Sequence, residues 1–340
     1  LDHASKHWRC AKAIPHAALS RPPLPAERRI EPIGNALLRE ASDAWIVRCG
    51  QTGLHMTHDA PDGLTIRVMT RHDLDRAIDW AAGEGWNPGL KDAGCFRAAD
   101  PTGFLVGDLR NEPVAAISAI RYGDTFGFLG LYIVRSDLRG HGLGVSLWQA
   151  GMAYLEDRVV GLDGVVAQQA NYTRSGFVLA HRNVRFGGMP QVEAPRDERL
   201  RIVGPGLIEA VLAYDRPYFP APREAFLRCW LTPDTRTAIA FVEDGTIKGY
   251  GVIRACRNGH KIGPLFAHGR REAEALFQAL AARAAGQPVF LDLPEANRAA
   301  IGLAADHGLS PVFETARMYR GTRPDLPLAQ TYGIGTFELG

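Results

Sequence analysis

The sequence predicts a mixed α+β protein made of two similar units, each a mostly antiparallel, twisted sheet flanked by helices. Three observations carry that expectation. Apolar, β-branched or aromatic runs at 104–109, 114–122 and 125–134 follow one another across turn signals. Helical periodicity lies on either side of them. The same order then returns after residue 234. At 340 residues the chain exceeds a usual single domain, so two units and a shorter flanking piece fit its length.

Residues 1–63 form the flanking piece. Arg21-Pro22-Pro23-Leu24-Pro25 breaks any helix and no sustained period surrounds it, so a poorly structured extension is expected. It is basic, but it lacks the continuous apolar stretch and small-residue cleavage site of a secretory signal. Met56-Thr57-His58-Asp59 directly precedes the first strand-like run, which points to an over-long gene start and a working protein that begins near Met56.

The run 64–68 alternates as a half-buried strand does, and Leu74, Ala77, Ile78 and Ala81 recur at helical spacing through 71–83. Arg110-Asn111-Glu112-Pro113 and Gly123-Asp124 divide the next three runs into an antiparallel meander. From 140 to 157, Leu143, Leu147, Trp148, Gly151 and Leu155 share one stripe while Gln149, Glu156 and Arg158 can face water, which reads as a helix. A short strand is expected at 164–168. Gly187-Gly188-Met189-Pro190 and Ala194-Pro195 then interrupt regular structure, dividing a first unit, 64–190, from a second, 191–340. In the second unit, runs at 234–242, 247–254 and 260–266 read as strands. A helix at 270–283, a strand at 289–293 and a helix at 297–307 that ends at Gly308 follow them.

A formal charge of +2 creates no field suited to polyanions, so nucleic acid is not an expected partner. Every apolar run is interrupted well before the roughly 18 residues that span a bilayer, so no membrane partner is expected either. The cysteines Cys10, Cys49, Cys95, Cys229 and Cys256 are odd in number, scattered, and never spaced as zinc ligands, so no metal is expected. A reduced cytoplasm fits, Cys95 reads as a small apolar residue, and the expected assembly is a monomer or homodimer.

The most specific local signal is Arg139-Gly140-His141-Gly142-Leu143-Gly144, between a strand and a helix. A pyrophosphate needs several backbone N–H donors aimed at one point, and a helix's first turn supplies them unpaired with the positive end of its dipole. Glycine permits close approach and positive φ. A dinucleotide-binding glycine pattern would need another spacing and a parallel βαβ context. A Walker loop would need a lysine after the glycines, and none follows Gly144. A glycine-rich helix start without ligand is the bland alternative.

The order strand, helix, meander, glycine turn, helix, strand, then Tyr172-x-x-x-Gly176-Phe177, resembles the GNAT acetyltransferase superfamily. Residues 139–144 match that family's Q/R-x-x-G-x-G/A turn at every defined position. The segments 84–89 and 161–169 are similar to those of a bacterial subgroup with a second, degenerate GNAT-like domain. The resemblance implies acetyl-coenzyme A as cosubstrate. The backbones of Ile133 and Val134 would pair with the pantetheine arm, and amides of Gly140, His141, Gly142, Leu143 and Gly144 would hold the pyrophosphate beside Arg139. An amide near Ile133 would face the thioester oxygen, a donor whose loss typically costs about 10² to 10³ in rate.

Tyr172 is the family's candidate acid toward the leaving thiolate, with aromatic packing on Phe177 as the other reading. Val165 and Gly164 stand where the family usually carries an Asn, so either Asn171 substitutes or the contact is missing. Glu84 is the first choice for general base, against a solvated glutamate beside a turn. Asp124 is a second carboxylate near the acceptor, although Asp is common at hairpin tips for turn reasons alone. Trp86 and Asn87 are expected to line the acceptor pocket, with core packing the alternative for Trp86. His141 reads as solvent-facing.

The corresponding turn in the second half, Ala267-His268-Gly269-Arg270-Arg271-Glu272, lacks paired glycines, and Ala304 stands where the first half has its tyrosine. That unit is expected to keep the fold without the activity and to shape the first unit's acceptor cleft. Direct acetyl transfer to a primary amine of a small molecule or an amino terminus is the leading function. A non-catalytic acyl-coenzyme A-binding module and a transferase with a longer acyl donor are the rivals.

Overall fold

Turn chemistry and alternation set the first half. The computed structural model describes residues 61–233 and 236–340, together with the backbone of two short antiparallel strands, β1 (Arg48–Gly50) and β2 (Gly53–His55). A start near Met56 lies outside the described residues, as do the side chains of Cys10 and Cys49. Strands β3 (Leu64–Val68), β4 (Phe104–Leu109), β5 (Glu112–Tyr122) and β6 (Phe126–Val134) form the antiparallel series. Helix α1 (Arg71–Gly83) opens on a reciprocal cap between Thr70 and Asp73. Arg67 donates to the Asp73 carboxylate at 2.6 Å, and hydrogen bonds from Arg67 and Thr70 hold that acid at about 2 against the opposing effect of burial.

Three expectations in this half need correction. Helix α2 (Asp92–Ala99) was not foreseen, because eight residues with a central glycine are too short to show a period. The helix expected from 140 begins only at α3 (Leu143–Leu155), since Gly140 and Gly142 take φ of +84° and +79° and keep the chain out of the helix until then. The strand expected at 164–168 is β7 (Val159–Val165), and 166–174 coil into a 3-10 turn and α4 (Gln169–Arg174). Val165-Val166-Ala167 has strand composition, but only the first of these residues joins the ladder.

The second half comprises β9 (Leu200–Ile202), α5 (Pro205–Asp215), α6 (Glu224–Leu231), β10 (Arg236–Glu243), β11 (Thr246–Ala255), β12 (His260–Ala267), α7 (Arg270–Ala281), β13 (Val289–Pro294), α8 (Arg298–Asp306), β14 (Ser310–Arg320) and β15 (Thr331–Gly333). Between the halves runs β8 (Val178–Gly188). The two sheets are not separate: thirteen strands join in one, ordered β3-β4-β5-β6-β7-β14-β8-β13-β12-β11-β10-β9, with β15 beside β12. Each half gives its late strand to the other. β14 lies between β7 and β8, with Met318 opposite Leu162, and β8 pairs with β13, with Phe186 opposite Leu291.

Two further links bind the halves. Cys95, read from the sequence as an unpaired apolar residue, is bonded to Cys229 across 134 residues with a Cα–Cα distance of 5.2 Å, tying α2 to α6. Residues 331–340 are buried and return to the first half, where the Tyr122 hydroxyl donates to the Leu339 carbonyl at 3.0 Å.

Candidate active site

The cleft exists because two parallel strands part. β6 and β7 pair only from Phe126 and Val159 to Leu129 and Leu162. Beyond that point the β5–β6 register shifts between Ala116 and Ser118, and Leu131 takes φ of +45°, a bulge that bends β6 away. A cavity of about 660 Å³ opens between the separated ends.

The bulge decides which backbone groups face it. Arg135 N–H donates to the Val114 carbonyl at 2.9 Å, and hydrogen-bonded pairs alternate along an antiparallel ladder. Ile133, opposite Ala116, therefore turns its amide and carbonyl to β5, which corrects the expectation that its backbone pairs with the pantetheine arm, while those of Val134 turn toward the cleft. The Val134 carbonyl accepts from Arg139 Nε at 2.9 Å.

At one end stands the glycine turn. Gly142 caps α3 in the left-handed region with no capping side chain; the Val145 and Ser146 amides turn back to the Gly142 carbonyl at 3.0 and 3.3 Å, which leaves those of Leu143 and Gly144 at the positive end of the helix dipole. A Cβ on Gly144 would lie 2.6 Å from the Tyr132 hydroxyl, so glycine lets the start of α3 pack this closely on β6. Glu84, the C-cap of α1, is ion-paired to Arg139 at the cavity's rim, both side chains being partly exposed.

Tyr172 lies deeper. Its ring packs on Gly164, where any Cβ would collide with it, and stacks on Trp148 at 5.7 Å. Burial, with the neighbouring Tyr132 adding to it, pushes the Tyr172 hydroxyl up to about 12, so it keeps its proton at neutral pH. Burial likewise takes Tyr132 to about 12.

Glu84, Trp86, Ile133, Val134, Arg139, Gly140, Gly142, Leu143, Gly144 and Tyr172 all line this one cavity. Four other expected residues do not. Asn87 exchanges hydrogen bonds with Asn258 of the second half at 2.9 and 3.1 Å. Asp124 is fully exposed on its hairpin tip, 3.6 Å from Arg158. His141 is exposed, and Asn171 is exposed and bonded to Gln168 and Arg174. The far wall was missed altogether: Phe313 and Thr315 on β14 and Phe337 and Glu338 of the returning segment complete the cavity. The only hint of them in the sequence was the expectation that the second unit shapes the acceptor cleft.

The second half's equivalent turn is built differently. Gly269 caps α7 with φ of −157°, ordinary extended backbone, and Glu272 is buried in the first turn and paired to Arg271 at 2.7 Å. Among the described residues, no group of three or more His, Cys, Asp or Glu is arranged to hold a metal ion, and no helix is long and apolar enough to cross a membrane.

Comparison with known proteins agrees with this fold. The model of the acetyltransferase (GNAT) family matches residues 71–177, and that of an acetyltransferase (GNAT) domain matches 211–333. The holothin acyltransferase of Pseudoalteromonas sp. (strain SANK 73390) is 32% identical over 265 residues, which cover 77% of this chain and 90% of that protein. A solved Pyrococcus horikoshii protein described as an acetyltransferase shares the fold, with TM-score 0.70, 22% identity, and coverage of 84% of this chain and 100% of the other. So does a tandem GNAT protein from the clavulanic acid biosynthesis pathway, with TM-score 0.54, 14% identity, and coverage of 77% and 100%. With both halves matched and a relative of that identity covered over most of its length, the chain belongs to the GNAT acetyltransferase family, as a tandem member.

Proposed function

We propose that this protein is an N-acyltransferase that moves an acetyl group from acetyl-coenzyme A directly to a primary amine of a small molecule, with its one coenzyme site in the first half. The observation that carries this is the single cavity joining the Gly140–Gly144 turn, the splayed end of β6 and the protonated hydroxyl of Tyr172. The cradle fits the donor: left-handed glycines leave space that a Cβ would fill, and the capless first turn of α3 offers amides to a diphosphate. When bound, the coenzyme supplies the activated acyl thioester. Backbone groups of Val134 extend β6 toward the pantetheine arm. Arg139 adds charge at the diphosphate, and Tyr172 donates its proton to the departing sulfur. The buried Glu272 and extended Gly269 support the reading that the second half is degenerate toward coenzyme.

The relative's name, holothin acyltransferase, supports a small-molecule acceptor and also a second reading, in which the donor carries a longer acyl chain. A coenzyme-release assay over amines and amino acids, run with acetyl-, butyryl- and hexanoyl-coenzyme A, separates the two. Calorimetric titration of acetyl-coenzyme A tests both, and absence of binding rejects them together.

A further inference from the structure

Buried polar atoms stand unpartnered on the wall that the second half supplies. Glu338 is 2% exposed, and neither carboxylate oxygen has a hydrogen-bond partner among the described residues. The equally buried Thr315 hydroxyl lacks one too, and both residues line the cavity. Leaving a buried polar atom unsatisfied costs about 1–3 kcal/mol, and more when it is charged. Such atoms persist at functional sites where a ligand brings the missing donors.

The backbone places this carboxylate at the chemistry. The Glu338 carbonyl lies so close to Gly130 that a Cβ there would overlap it, and Ser118 Oγ reaches the same carbonyl at 3.4 Å. Gly130 falls between the last parallel pair, Leu129 with Leu162, and the bulge at Leu131. Glu338 therefore enters at the fork of the two strands. Glu84, by contrast, is held by Arg139 at the rim.

The charged groups around Glu338 leave its oxygens free. Arg185 on β8 is bound to Asp292 at 2.6 Å, Arg254 on β11 donates its Nε to Asp92 at 3.2 Å while its Nη2 has no hydrogen-bond partner among the described residues, and Lys261 on β12 lies 3.8 Å from Asp292. None of these three cations donates a hydrogen bond to Glu338. Across the cavity, Asp163 is paired with Arg317 at 2.6 Å, and Tyr172 faces the same space. Phe313 and Phe337, with centroids 6.0 Å apart, and Trp86 also line the cavity, and the Arg185 guanidinium lies over the two phenylalanine rings at 5.6 and 4.9 Å.

We propose that Glu338 and Thr315 seat the acceptor's amine, that Glu338 is the general base, and that the acceptor carries this amine on a flat apolar body. The inference rests on the transferase reading above. The ammonium loses two protons overall. One passes to the Glu338 carboxylate and on to water, freeing the nitrogen lone pair to form the N–C bond. The C–S bond then breaks, the sulfur takes the Tyr172 proton, and the second nitrogen proton restores Tyr172.

Coenzyme A, benzylamine and benzyl alcohol are the probes. Benzylamine should bind the protein saturated with coenzyme A, and Glu338→Gln should weaken it at least about tenfold. Coenzyme A and benzyl alcohol affinities should not change. With acetyl-coenzyme A, kcat/KM for benzylamine should fall about 10²-fold or more. Glu338→Asp should restore part of it, and the acid limb of the pH profile should flatten in Glu338→Gln. Equal affinity and turnover in wild type and Glu338→Gln overturn the inference and leave the transferase reading standing. So does a wild type that binds coenzyme A but not benzylamine. Wild type that binds no coenzyme A overturns both. If Glu338→Gln loses coenzyme A affinity through misfolding, Thr315→Val takes its place, and an unmoved benzylamine constant there is equally fatal.

Discussion

At Tyr172 the packing is plain in the structure, and the proposed mechanism asks a different atom of the same side chain for chemistry. Its ring fills the space over Gly164 and stacks on Trp148, while its hydroxyl, pushed up to about 12, faces the cavity protonated. Tyr172→Phe keeps the ring and removes the proton, so coenzyme A binding should hold while kcat falls about 10² to 10⁴-fold, measured by coenzyme release. Unchanged kcat would remove Tyr172 from the mechanism. Gly142 makes the complementary case. At φ +79° it occupies backbone that a side chain resists by about 1–2 kcal/mol, so Gly142→Ala should distort the turn, weaken coenzyme A about tenfold in calorimetry and lower the melting temperature by a few degrees at most. The sequence singles out both residues because each belongs to a short contiguous pattern. Glu338 was not legible, since a lone glutamate carries no local mark of what it faces.

At the scale of elements, legibility followed length and period. Helix α1 matches its expected span, and the strands of both meanders lie within a few residues of theirs. Helices α2 and α6, eight residues each, show too little period to be read, yet they carry the bond between Cys95 and Cys229. Closing a loop of 134 residues restricts the unfolded chain by up to about 5 kcal/mol in the chain-entropy account. Cys95→Ala with Cys229→Ala should therefore lower the urea midpoint markedly, and reductant should do the same to the wild type but not to the variant. Identical midpoints with and without reductant would show that the link does not form.

At the scale of the molecule, the halves are exchanged rather than juxtaposed. β14 completes the first half's ladder beside β7, β8 completes the second's beside β13, and residues 331–340 return to close the cavity. A fragment of residues 61–190 would leave β7 without β14 and the cavity without its far wall, exposing a row of unpaired strand groups. Neither it nor 191–340 alone should unfold cooperatively in calorimetry, whereas coexpression of the two should recover a single transition and coenzyme A binding. A cooperative transition from 61–190 alone would show that the exchange is dispensable.

What the sequence by itself determined is whatever neighbouring residues decide: helical stripes, alternating strands, and a glycine turn of six positions between a strand and a helix. Tertiary structure alone decided the exchange of late strands, the Cys95–Cys229 link and the far wall of Phe313, Thr315, Phe337 and Glu338. The reason is physical. Helix hydrogen bonds and turn dihedrals join residues a few positions apart and so leave a local pattern, whereas these contacts join residues more than a hundred positions apart and leave none.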